Sequence, residues 1–385
     1  MALNVNLTEQ NRLAWVALTL TPGLGPKRIL KVSQTLPDLS CLFTLSLTEL
    51  ESLNIPASSA QFLFSGRARS EAEREVTRVK ELKGEIVTYA DENYPEPLRQ
   101  IFDPPPVLWV LGDVKLLSRP SMAVVGTRHP TPYGNGMAEI LARDLSSRGM
   151  VILSGMARGI DSAAHKGALA GGGKTVAIWG TGVDVIYPKE NKSLAERILM
   201  SGGAIVSEYQ LGTFPAPQNF PRRNRILSGI SIGVLVVEAA ENSGTRVTAR
   251  CALEQNRDVF AVPGNVTTRN AWGPNTLIKQ GAKLVATWED VWLELPTDVR
   301  LQLEREAGFA SPAGHPASIV DEHPLQQPEK VVLNALRHDE AVQLDDLMET
   351  LEPQLTSSEI FTALFELELA NRISQLPGKN YVRRM

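Results

Sequence analysis

Short apolar runs punctuate the middle of the chain. They are MAVVG (122–126), VILS (151–154), TVAIWG (175–180), AIVSE (204–208), GVLVVEA (233–239), DVFAVPG (258–264) and AKLVA (282–286). Between most of them lie stretches with helical period, such as NGMAEILARDLSSRG and TRVTARCALEQNR. Continuous apolar runs that alternate with amphipathic helices predict strands buried on both faces, hence a mostly parallel sheet. Right-handed crossovers then give an α/β, doubly wound, extended Rossmann-like domain, which we place at 76–296. The stretch from about 84 to 118 predicts a connector with two short strands.

The flanks read differently. Residues 1–75 predict a small helical module, helix-hairpin-helix or SAM-like, with Pro22-Gly23-Leu24-Gly25-Pro26 between two apolar helical stretches. That turn fits a helix-hairpin-helix contact with a nucleic-acid backbone, and equally a plain turn in a packing module. Beyond the sheet, DVRLQLEREAGF fits a short helix. SPAGHPASIVDEHPLQQP has four prolines and no apolar period, which marks 297–327 as a linker. Residues 328–385 read helix, short helix, helix, then a hairpin around Pro377-Gly378. This is the order of a winged helix, and its third helix opens on a capping-box pattern from Thr356 to Glu359.

Composition narrows the function classes. The chain has 385 residues, 43% of them hydrophobic and 21% charged, an ordinary globular balance with room for two or three domains. Two cysteines, Cys41 and Cys251, exclude a disulfide scaffold and a four-cysteine metal site, and they suit a reducing cytosol. The N-terminus lacks the pattern of a signal peptide, and no apolar stretch is long enough for a membrane span, so a cytoplasmic location and no membrane partner are expected. Formal net charge is −4, and all of the excess lies in 328–385, with ten acidic against six basic residues. A globally basic nucleic-acid binder is thereby excluded, but a local basic groove is not. The expected recognition helix of the winged helix carries Glu359, Glu366 and Glu368, and no basic residue before Arg372. Such a helix repels phosphates, so a protein-contact or regulatory role fits it better.

Ligands of an open α/β sheet lie outside the carboxyl ends of its strands. There the sequence is rich in Gly, Ser, Thr, Asn and Arg. Gly126-Thr127-Arg128 makes a tight strand-to-helix turn with a guanidinium, suited to a phosphate. Ser154 and Gly155, with Arg158 and Gly159, repeat that logic, as do Ser243, Gly244 and Thr245. Phe220 stands before Pro221, Arg222, Arg223, Asn224 and Arg225, and no Asp or Glu occurs between Tyr209 and Val237. Arginines beside an aromatic ring suit single-stranded nucleic acid, where phosphates meet cations and bases stack.

Several other motifs fail. GALAGGGKT (167–175) has one residue too many for a nucleotide-binding P-loop and leads from helix into strand. Gly180-Thr181-Gly182 lacks the third glycine of a dinucleotide fingerprint. The five histidines show no ligand spacing, so neither a metal nor any other cofactor is expected. His165 lies near Ser154 and Asp161 in sequence and reads as a hydrogen-bonded structural histidine.

Taken in order, GTRHPTPYG, SGMARGIDSAAH, GTGVDVIYPKEN, FPRRNRILSG, EAAENSGTRVTA and VFAVPGN with GPNTLIKQGAKLV resemble the DNA-processing protein A (DprA, or Smf) family over about 84–295. The resemblance implies a homodimer that binds single-stranded DNA without catalytic turnover. It implies protection of incoming strands in natural transformation, and loading of RecA recombinase past single-strand-binding protein. It maps phosphate contact onto Arg128, base stacking onto Phe220, and further DNA contacts onto Arg222, Arg223, Arg225 and Lys189, with Lys192 close by. Pro217 stands where some members carry a lysine, which removes one contact. Thr127 replaces a frequent serine and keeps the hydroxyl.

A reading from another class is an enzyme of the nucleoside-monophosphate phosphoribohydrolase type on a related sheet, with Glu238 or Glu254 as the carboxylate poised on the ribose. The Pro-Gly-Gly-x-Gly-Thr turn expected of such enzymes is missing. A third reading is an adaptor that works through the winged helix.

Overall fold

The computed structural model describes residues 2–306, apart from 37 and 242, and 327–383, apart from 339, 371 and 377. The chain opens with helices α1 (Ala2–Leu20), α2 (Pro26–Thr35), α3 (Leu47–Ser52), α4 (Ala57–Phe64) and α5 (Arg67–Glu81). Gly23, at φ +80°, makes the turn before α2, and Pro26 sits in the first turn of that helix, where its missing N–H costs nothing. The Ser59 hydroxyl donates to the carbonyl of Pro22 at 2.7 Å and holds this turn against α4.

Helix α5 runs through residues 75 and 76, where the sequence placed the end of the helical module. It is pinned to the sheet domain: the buried carboxylate of Glu75 accepts the backbone N–H of Leu211 at 2.6 Å. Trp15, Leu18, Ile29 and Leu50 share one continuous core with Trp109, Trp179 and Ile205 of the sheet. The module is therefore packed onto the sheet.

The middle of the chain supplies β1 (Glu85–Thr88), α6 (Glu96–Arg99), β2 (Val107–Gly112), β3 (Ser121–Val125), α7 (Pro132–Ser146), β4 (Val151–Ser154) and α8 (Ile160–Ala170). It continues with β5 (Thr175–Trp179), α9 (Lys192–Met200), β6 (Ala204–Ser207), α10 (Asn219–Ile230), β7 (Gly233–Val236) and α11 (Thr245–Glu254). Then come β8 (Asp258–Ala261), α12 (Trp272–Lys279), β9 (Lys283–Leu284), α13 (Trp288–Leu293) and α14 (Thr297–Glu306). The first nine strands form one sheet, in the order β1-β2-β6-β5-β4-β3-β7-β8-β9.

From β6 to β9 every pairing is parallel; β2 adds antiparallel to β6, and β1 to β2. The seven apolar runs are the seven parallel strands, and those of the centre are buried along their whole length. The chain winds from β3 towards β4 on one side and returns to place β7 on the other. The loops after β3 and β7 diverge at this reversal and open a crevice at the carboxyl end of the sheet.

The last elements are α15 (Gln327–Ala335), β10 (Val342–Gln343), α16 (Leu344–Leu351), α17 (Ser357–Leu369), β11 (Ile373–Leu376) and β12 (Asn380–Arg383). The three strands pair antiparallel in the order β10-β12-β11, around a separate core of Val332, Leu347, Ile360, Leu367 and Ile373. This is a winged helix. The expected capping box is present: the Thr356 N–H donates to the Glu359 carboxylate at 2.8 Å, and the Glu359 N–H to the Thr356 hydroxyl at 3.4 Å. Most of the expected linker, 307–326, lies outside the described residues.

Candidate nucleic-acid interface

The crevice between the ends of β3 and β7 is a cleft of about 600 Å³. One wall is the turn Gly126-Thr127-Arg128. A Cβ on Gly126 would lie 2.4 Å from the Ile160 side chain and 2.9 Å from the Glu238 carbonyl, so only glycine fits. The Thr127 N–H donates to the Glu238 carbonyl at 2.7 Å, and the Thr127 hydroxyl accepts the N–H of His129 at 3.2 Å. The buried Glu238 carboxylate takes the Thr131 N–H at 2.9 Å and the Thr131 hydroxyl at 2.5 Å. Asn270 bridges the same carboxylate to the His129 carbonyl. With its backbone so clamped, the turn presents the exposed Arg128 side chain, which has no carboxylate partner among the described residues.

The second wall comes from α10. In the sequence the run Phe220–Arg225 makes one positive patch beside a ring, but it forms the first turns of a helix, and helical geometry sends its arginines in different directions. Arg222 is exposed, 3.8 Å from Glu208. Arg223 is buried under the cleft, where it donates to the Ile178 carbonyl and, at 3.2 Å, to the Asn224 side chain. Its guanidinium lies flat on Gly155, where a Cβ would sit 2.3 Å from Nη2. Arg225 is buried on the far side, in a two-pronged pair with Glu208 (3.1 and 2.7 Å) and a third bond to Asp103 at 2.9 Å. Burial works against the charge of Arg225, but Glu208 and Asp103 together hold its pKa above the ordinary value.

The expectation that this run lacks nearby acid is thus corrected. Glu208 stands one residue outside the acid-free window, and Asp103 arrives from the connector before β2. Arg225 is an internal strut and not a surface cation.

Phe220 is half-buried, and its ring packs against that of Tyr187 at 5.3 Å between centroids, tilted by 38°. The two rings form one aromatic floor at the edge of the cleft. Under it, Asp161 accepts the backbone N–H groups of Gly155 (3.1 Å) and Ala157 (3.2 Å). Burial pushes the pKa of Asp161 up, and the neighbouring Arg223 guanidinium opposes that rise. His165 is fully buried, 2.7 Å from the Thr175 hydroxyl through Nδ1. Burial first, then Arg223, holds its pKa down at about 3, so the ring is neutral. It is the structural histidine expected.

The third wall is the start of α11. Ser243, Gly244 and Thr245 line the cleft. The Ser243 hydroxyl accepts the Thr245 N–H at 3.2 Å and lies 2.9 Å from the Thr245 hydroxyl. A Cβ on Gly244 would meet nothing within 4 Å, so the backbone there is open to a ligand.

The remaining expected residues divide. Gly155 and Arg158 line a small annex beside Tyr187, and Arg158 pairs with Glu190. Ser154, expected at the surface, is fully buried and donates to the Val124 carbonyl at 2.7 Å. Gly159, at φ +74°, abuts the Thr127 carbonyl and is needed for packing. Lys189, on the loop beyond Tyr187, and Lys192, at the first position of α9, are exposed and line neither cavity; Lys192 lies 3.9 Å from Glu196.

The sequence reading missed Tyr187, His129 and Arg269, all of which line the cleft. All three occur in the loops singled out after strands, but a ring stack and a shared rim are properties of three dimensions. The carboxylates weighed for an enzyme are placed otherwise. Glu238 is taken up by Thr131 and Asn270, and Glu254 is exposed on α11, 3.7 Å from Arg250.

Residues 85–296, which hold the sheet and all three walls of the cleft, match the family described as DNA recombination-mediator protein A. The chain belongs to the DprA/Smf family. Residues 316–379 match the DprA winged helix domain. Protein Smf of Escherichia coli (strain K12) is 42% identical over 299 residues, 77% of either chain. The crystal structure of DprA from Streptococcus pneumoniae superposes with a TM-score of 0.65 at 35% identity, covering 72% of this chain and 96% of that one. DprA from Helicobacter pylori, whose structure was studied for its single-stranded DNA binding mode, gives a TM-score of 0.50 at 31% identity, with coverages of 58% and 97%. Among the described residues, no helix is long and apolar enough to cross a membrane.

Proposed function

We propose that this DprA/Smf protein binds single-stranded DNA along the carboxyl edge of its sheet and acts there as a recombination mediator, without catalytic turnover. The observation that carries the reading is the cleft itself: an aromatic floor of Phe220 and Tyr187, faced by the Arg128 guanidinium, which has no carboxylate partner among the described residues, and by the open backbone of Gly244. Arg128, Arg222 and Lys189 meet phosphates, the two rings take a base, and the start of α11 offers N–H groups to a further phosphate. Arg223 and Arg225 serve from beneath, by fixing the glycine loop and the helix that carries Phe220.

The titratable groups under the cleft support binding over turnover. Asp161 and Glu238 are each held in structural bonds, and His165 is fully buried and lines neither cavity. In the cell we propose that the protein shields incoming strands and helps RecA to load onto them past single-strand-binding protein, as a homodimer in the cytoplasm. The support for this is membership of a family described as recombination mediators. Anisotropy with a fluorescent poly-dT strand against a matched duplex tests the binding. Preference for the single strand is expected; equal or duplex-preferring binding would overturn the reading.

A further inference from the structure

The cleft does not end at α11. Its far rim is Arg269, in the loop between β8 and α12, and the helix that follows opens on an aromatic side chain that the cleft itself does not use. Trp272 is 39% exposed, although it stands at the first position of α12. The guanidinium carbon of Arg246, from the first turn of α11, lies 5.5 Å from the centre of its ring. The two elements are bolted to one strand end. The Ala239 N–H donates to the Asn270 carbonyl at 2.8 Å, and the Gly273 N–H to the Ala239 carbonyl at 2.8 Å. A Cβ on Gly273 would lie 2.5 Å from that carbonyl, so the two backbones pack closely here and only glycine fits. Both neighbours in sequence of the Trp272 segment, Asn270 and Gly273, are thus fixed to Ala239, and the chain that follows Ala239 supplies Ala240 and Ser243 to the cleft.

We propose that Trp272 and Arg246 form a second nucleotide subsite, on which a strand leaving the Phe220 cleft stacks one more base on the indole and sets a phosphate by the guanidinium. The inference rests on the single-strand reading of the cleft and extends it. Indole is the aromatic side chain best suited to a cation above its face. It also offers the largest ring surface to a base, and an exposed, pre-positioned aromatic beside an arginine is the pairing that sequence-tolerant single-strand sites use. The local charge favours an anion. Arg246 donates to the backbone carbonyl of Glu241 at 2.9 Å and pairs with no carboxylate among the described residues, as is also true of Arg128 and Arg269. Glu241 is the one exposed acid in the described part of the loop between β7 and α11.

The test uses the full chain and dT oligonucleotides of increasing length, with wild type, Trp272→Ala, Trp272→Phe and Arg246→Gln. Of the six tryptophans, Trp272 is the exposed one, so stacking there quenches intrinsic emission. Short strands that fill only the cleft are expected to bind Trp272→Ala as they bind wild type. Longer strands should bind it about five- to a hundredfold more weakly. Trp272→Phe should keep most of the affinity but lose the quench, and Arg246→Gln should lower the salt slope by about 0.7. Wild-type affinity of Trp272→Ala at every length, with an unchanged quench in Trp272→Phe, would overturn the subsite. So would a change in elution volume for either Trp272 variant, which would assign the indole to contact between copies of the chain. If wild type binds no oligonucleotide at all, the reading of the cleft itself has failed.

Discussion

Helices α10 and α17 each present phenylalanine beside charge, and the charges are opposite. On α10, Phe220 stands at the cleft with Arg222 outward and Arg223 beneath it. On α17, Phe361 (50% exposed) and Phe365 (60% exposed) share the surface with Glu359, Glu366 and Glu368. The second helix belongs to a winged helix, a shape that enters DNA grooves elsewhere, while the first caps the end of an α/β sheet. Charge reverses what shape suggests: an acidic helix repels a polyanion, whereas the strand-end loops carry Arg128 and Arg269, with no carboxylate partner among the described residues, beside a ring stack. A fold locates a surface, and the residues grafted on it decide its partner.

The sharpest way to break the comparison is to remove what supports α10. Arg225→Ala takes both short bonds from the buried Glu208 and leaves it only the exposed Arg222 at 3.8 Å, a loss of about 3 kcal/mol. Thermal or urea unfolding is expected to show that loss. An unchanged midpoint would return Arg225 to the surface, as the sequence alone suggested. Phe220→Ala is expected to cost about 1–3 kcal/mol of single-strand affinity while the melting temperature stays near that of wild type, because Tyr187 remains as floor. If affinity holds and the protein unfolds, Phe220 is core. The smallest effect is expected from the other side of the comparison. Removal of 328–385 should leave single-strand affinity within a few-fold, since that module carries net negative charge. A loss of tenfold or more would show that the acidic winged helix holds the strand after all.

Much of this was legible in the chain. The apolar runs from MAVVG to GVLVVEA became β3 to β7 because strands covered on both faces are apolar throughout, while DVFAVPG and AKLVA became β8 and the exposed edge strand β9. The strand-end loops named the walls of the cleft, since topology alone places a ligand at the carboxyl end. What the sequence concealed is direction. Consecutive arginines read as one patch, but at about 100° per residue they split into an outward, an under-floor and a far-side position. Ser154 read as a phosphate donor because it precedes glycine, yet its hydroxyl closes onto Val124 inside the sheet. Glu208 and Asp103, the partners that take up Arg225, are separated by more than a hundred residues and meet only in the folded chain.

The most direct test is the salt dependence of poly-dT binding in wild type and Arg128→Ala. Arg128 is the exposed cation of the clamped turn, so its loss should weaken binding to every sequence and reduce the slope of log K against log salt by about 0.7, one single-strand phosphate contact. An Arg128→Ala variant with the slope and affinity of wild type would contradict the placement of the strand on this edge of the sheet.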